Sequence, residues 1–176
     1  MTDISRAFIA QSRTLLTDSY VPRIETAIDG LSVANIWWRA NEQSNSIGNL
    51  ILHLEGNVRQ WIISGLGGMT DVRQRQREFD GRDKIPGREL LETLRATVHQ
   101  ADQTLAKVDP ATLAELRCIQ TYDVRVMGAI YTVIEHFSMH TGQIIVLAKM
   151  FKGDLGLYDL SSGNPHPTWN GGMRGH

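Results

Sequence analysis

The sequence predicts an all-α fold, a four-helix bundle with one long crossover between its second and third helices. Three observations lead there. Apolar residues recur at helical spacing in four long segments, and strand-like alternation is weak. A polar stretch, residues 66–86, separates the second segment from the third. It is long for a connection inside a small domain, as expected of a crossover or a functional loop. The chain has 176 residues, enough for one domain with a sizeable core, and shows no internal repeat or dividing linker.

The first helix spans residues 3–29, with Ile4, Phe8, Leu15, Ile24 and Ala27 at roughly helical intervals. Pro22 should kink it, because proline lacks a donor and clashes one turn back. Gly30 ends it. Residues 31–45 form a polar connection carrying Trp37 and Trp38, read as caps on a core end. Ser46 or Ser44 can act as N-cap of the second helix. From there Ile47, Leu50, Ile51, Leu54, Val58, Trp61 and Ile62 follow the most regular stripe in the chain, until Gly65, Gly67 and Gly68.

The third helix, residues 87–107, carries Leu90, Leu91, Leu94, Val98, Ala101 and Leu105, and Asp109-Pro110 marks its exit. Residues 109–123 read as irregular. The fourth helix, residues 125–152, aligns Met127, Ile130, Val133, Ile134, Phe137, Thr141, Ile144, Ile145 and Ala148. Residues 1–158 are therefore expected to form the bundle. Residues 159–176, rich in Gly, Pro and Ser, read as an irregular tail.

Charge and composition exclude several roles. Eighteen Lys and Arg against nineteen Asp and Glu leave a net charge of -1, which argues against broad capture of nucleic acid or an anionic membrane. Cys118 is the single cysteine, so no internal disulfide forms. It has no flanking cue for activation and reads as a packing residue. The first residues lack the apolar core of a secretion signal, and no apolar stretch is long enough to span a bilayer. The expectation is a cytoplasmic protein.

His53, His136 and His140 are the candidate metal ligands. The last two are four residues apart on the fourth helix, separated by roughly 6 Å of rise and about 40° of rotation, so both imidazoles can face one point. Two neutral imidazoles on one turn make half of a divalent-metal site. By itself such a pair reads more simply as two boundary histidines, because the spacing permits ligation without demanding it. On a helical projection His53, His136 and His140 all fall on the flank where an apolar stripe meets water. Asn57 and Gln143 share those flanks and are candidates to orient a ligand or hold a bound water. Glu55 and Glu135 rotate onto other faces and read as surface charge, and His99 as a surface histidine.

The segments SNSIGNLILHLEGNVRQWI, RQRQREF and EHFSMHTGQI together resemble the DinB-like (YfiT-like) superfamily, closest to a branch of uncharacterised bacterial proteins. The resemblance covers most of the chain, to about Tyr158. It implies an up-down-down-up arrangement of the four helices and one divalent metal held by His53, His136 and His140. It also implies a homodimer. Some members of the superfamily are transferases or isomerases that use low-molecular-weight thiols, and others have no assigned activity. The expected function is thus a metal-dependent enzyme, a thiol-dependent transferase acting on a small molecule. The alternative is a non-enzymatic, metal-stabilised binding or assembly module. Nickel, zinc and iron all suit an all-imidazole triad.

Arg73, Arg75 and Arg77 lie in the long connection with Arg82 and Arg88, interleaved with Asp71, Glu78, Asp80 and Asp83. They are candidates for clamping the carboxylates of a thiol cofactor or substrate. The competing reading is a solvated mixed-charge loop, as charge runs usually are. The resemblance narrows the gap between the two, because RxRxxEF recurs in this branch, and the balance falls on a structural role that ties the loop to the bundle. His166 and His176 sit in the tail without a supporting pattern.

Overall fold

The structure, a computed structural model, describes residues 2–81 and 84–169. Most of them are helical, and the fold is mainly α. The first helical run joins α1 (Thr2–Thr14), a π-helical turn (Leu15–Tyr20) and α2 (Val21–Ile28) without a break. Pro22 explains the middle piece. The N–H of Val21 bonds to the carbonyl of Leu16, five residues back, and Pro22 then falls in the first turn of a restarted α-helix. There its missing donor is harmless. The expected distortion is present, as a π turn.

A short helix, α3 (Val33–Ile36), interrupts the connection that follows and is capped by Ser32. Trp37 then donates its indole N–H to the carbonyl of Ile85 at 2.9 Å. The second run comprises α4 (Ile47–Val58) and a π-helical continuation (Arg59–Ser64). Ser46, rather than Ser44, is its N-cap: Ser46 Oγ accepts from the Asn49 N–H, and Asn49 Oδ1 accepts from the Ser46 N–H. This reciprocal box satisfies two otherwise orphaned donors.

The polar connection contains a helix of its own, α5 (Arg75–Asp80). It is held against α4 by Asn49, whose Nδ2 donates to the carbonyls of Glu78 at 2.8 Å and Gly81 at 3.1 Å. Arg39 reinforces the clamp by donating to the carbonyl of Phe79 at 2.7 Å. Arg82, Asp83 and His176, singled out in the sequence, lie outside the described residues.

The remaining long helices are α6 (Gly87–Leu105) and α7 (Val126–Lys152), close to their expected bounds. Helix α4 packs against both α6 and α7, and α2 packs against α7. The core lies between them. Ile24, Leu54, Leu94, Ile130, Val133 and Phe137 are fully buried there. No helix among the described residues is long and apolar enough to cross a membrane.

Two segments expected to be irregular are ordered. Between α6 and α7 lies a hairpin of β1 (Leu116–Ile119) and β2 (Tyr122–Arg125), turning at Gln120 with φ 58°. Cys118 sits on this hairpin and is exposed, which corrects its reading as a packing residue. A four-residue strand with one free face gives too little alternation to be seen in sequence. In the tail, β3 (Tyr158–Asp159) pairs with β4 (His166–Pro167), and the chain returns so that Trp169 joins the core. The Arg23 guanidinium lies 4.1 Å from the Trp169 ring centre and adds a cation–π contact.

Candidate metal centre

Helices α4 and α7 bring His53, His136 and His140 together although 83 residues separate the first two. One ring nitrogen from each lies within 4.8 Å of the others. Nε2 of His53 and Nε2 of His136 are only 2.8 Å apart. His53 and His140 are buried and His136 is half-buried, so the cluster has one side turned toward solvent.

The outer hydrogen bonds determine which nitrogens face inward. His53 Nδ1–H donates to Glu78 Oε2 at 2.7 Å, which leaves its Nε2 with a lone pair directed at the cluster. His140 Nδ1–H donates to Gln143 Oε1 at 2.7 Å. Its Nε2 is buried and has no hydrogen-bond partner among the described residues. A buried orphan acceptor facing two other imidazoles is an arrangement that a cation satisfies. Two nitrogens at Zn–N distances of about 2 Å and a tetrahedral angle lie ~3.3 Å apart, so the cluster needs only small side-chain shifts to close on an ion.

The sequence profile of a family described as "Protein of unknown function (DUF1572)" matches residues 3–158. The chain belongs to this family. No curated protein matches it.

In this DUF1572 chain the electrostatics favour neutral imidazoles. Burial, followed by the proximity of His140 and His53 and of the Arg73 and Arg75 charges, pushes the His136 pKa down to about 4. His140 is also lowered, chiefly by burial, although its bond to Gln143 works in the other direction. Neutral rings are the ligating form.

Behind His53 stands a buried ion pair that sequence reasoning did not assign. Arg73 Nε donates to Glu78 Oε1 at 2.7 Å and Arg73 Nη2 to Glu78 Oε2 at 2.9 Å. The two side chains are only 5% and 10% exposed. Burial alone would raise the Glu78 pKa, but hydrogen bonds from Arg73 and His53 outweigh it and hold the carboxylate below its ordinary range. Glu78 is therefore an anion at neutral pH. It fixes the His53 tautomer and orientation, as outer carboxylates commonly do for metal-binding histidines. The Phe79 ring, 4.7 Å from the His53 ring, covers its other side.

The remaining candidates fall in different places. Gln143 makes the bond to His140 described above. Asn57 is buried one turn beyond His53 on α4 and makes no hydrogen bond to any of the three rings among the described residues. The guanidinium of Arg73 faces inward, onto Glu78 and Gln60. Arg75 lies over the Phe79 ring, and Arg75 and Arg77 are exposed. Glu135 and His99 are exposed, as their helical positions require. Glu55 is not plain surface charge: it accepts from Arg59 and from Thr97, tying α4 to α6.

Proposed function

We propose that the chain is a DinB-like metalloenzyme in which His53, His136 and His140 hold one divalent ion, with nickel, zinc and iron as the candidates. The observation that carries this reading is the buried, unpartnered Nε2 of His140 beside the inward-facing Nε2 atoms of His53 and His136. Three protein ligands, with no fourth in the group among the described residues, match the pattern of catalytic sites, whereas structural sites are closed. The proposal includes the up-down-down-up four-helix arrangement for residues 1–158, a cytoplasmic location, a homodimer and no nucleic-acid partner.

A divalent ion held there supplies Lewis acidity to a water or thiol at its open positions. The protein's own groups do the rest. Glu78 and Gln143 lock the rings of His53 and His140 with their Nε2 atoms turned inward. Phe79 and the core residues around His53 keep bulk water from its ring. Arg73 keeps Glu78 anionic, so this carboxylate orients His53 and does not exchange protons at neutral pH. The half-buried His136 marks the side from which a substrate approaches.

The reaction class that fits is transfer of a low-molecular-weight thiol to a small electrophile, with Arg75 and Arg77 available for carboxylates of the thiol. The test is a turnover screen pairing such thiols with electrophiles, using protein reconstituted with each of the three metals. The expected result is metal-dependent thiol consumption that disappears in His136→Ala. Metal binding with no turnover of any pair would instead favour a metal-stabilised assembly module.

A further inference from the structure

An open cavity of about 590 Å³ lies between the approach to α4 and the outer face of α7. It is built on the helices that carry the histidines. Leu50 precedes His53 by three residues on α4, and Met139, Gly142 and Gln143 bracket His140 on α7. Leu50, Met139 and Val146 give it an apolar wall, while Ser44, Asn45 and Gln143 are its polar lining. None of the described lining residues is ionisable. Gln143 belongs to both places: its Oε1 accepts from His140, and its Nε2 has no protein partner among the described residues.

From this we infer that the cavity binds an uncharged, largely apolar small molecule whose hydrogen-bond acceptor meets the Gln143 amide. Bound there, it meets the residue that holds His140 through Nδ1, so its site adjoins the proposed metal centre from outside and does not include the three histidines. Charge decides the class. A carboxylate or ammonium entering this cavity loses hydration and meets no counter-charge from the described lining, whereas an apolar chain gains by covering the exposed Met139 and Val146. The size suits a small organic ligand.

Gly142 allows a clean test. A Cβ there meets nothing within 4 Å, so Gly142→Leu projects a side chain into the open space without collision and favours the helix. The full chain, loaded with zinc and labelled with methyl-¹³C methionine, is titrated with 1-octanol and separately with octanoate. The Met139 methyl signal, assigned through Met139→Leu, reports occupancy. Octanol should shift it saturably, and octanoate should bind at least about tenfold more weakly. Gly142→Leu should remove the octanol response while retaining the wild-type zinc content. An unmoved Met139 signal, equal binding of octanoate, or undiminished binding in Gly142→Leu would overturn the proposal. The two readings fail separately. Zinc uptake without an octanol response removes the cavity proposal alone. An octanol response in protein that takes up no metal removes the metal centre and leaves the cavity proposal standing.

Discussion

Glu78 rests against the bare backbone of Gly56, so that a Cβ at this position would overlap the Glu78 carboxylate and come within 3.0 Å of Arg73 Nε. Glycine in the middle of a helix costs about 1 kcal/mol relative to alanine. Here it lets the buried ion pair reach His53, three residues earlier on α4.

Gly56→Ala should therefore act on the metal site, although residue 56 touches no ligand atom. The methyl group displaces Glu78, and His53 loses the partner that sets its tautomer. Metal affinity measured by chelator competition should fall about 10–100-fold, the range for losing such an outer partner. Helicity should be preserved. An unchanged affinity would show that Glu78 does not position His53.

Glu78→Gln should weaken metal binding by a similar ~10–100-fold factor and also destabilise the fold. It leaves the Arg73 guanidinium buried without its counter-charge, and breaking a buried pair from one side costs about 3–5 kcal/mol. Replacing both residues, Arg73→Met with Glu78→Gln, should recover part of that stability without recovering metal affinity. Urea unfolding of both variants measures the stability, and chelator competition the affinity. Recovery of affinity in the double variant would contradict the assigned role of Glu78.

Stability of the metal-free protein should depend on pH in a defined window. His136 has a folded pKa of about 4 against 6.5 in the unfolded chain, so between these values the unfolded chain binds more protons. The contribution of neutral His136 is fully present above pH 6.5 and is lost as the pH falls toward 4. His140, also lowered, acts in the same direction. Glu78, lowered from 4.5, adds a loss at still lower pH as it becomes protonated. The urea midpoint should be flat above about pH 7 and decline below about 6.5. Metal affinity of the folded site should hold to lower pH than this and fall as the pH approaches about 4, where His136 takes up a proton. A steep loss of affinity already near pH 6.5 would show that the folded His136 is not held neutral by its burial.

How far the site was legible in the sequence follows from where its parts lie. His53, His136 and His140 sit on long helices, where a period of 3.6 residues assigns each side chain to a face. Gln143 was found by the same projection. Glu78 and Arg73 lie in a polar connection, where no period assigns a direction, and their charges read equally well as a solvated loop. The one local trace is Gly56, a helix-weakening residue inside a strong helical pattern, which marks a position without a side chain but not what approaches it. The four long helices were legible for the reason the histidines were. The hairpin at residues 116–125 and the return of Trp169 to the core depend on contacts between remote segments, which local patterning does not encode.

The most direct measurement is the metal content of untagged protein purified without chelator or a metal-affinity column, followed by titration with nickel, zinc and iron. The account predicts about one ion per chain in the wild type and none retained in His53→Ala or His136→Ala, with helicity unchanged in both. Failure of the wild type to take up any of the three metals, or full metal content in His136→Ala, would contradict it.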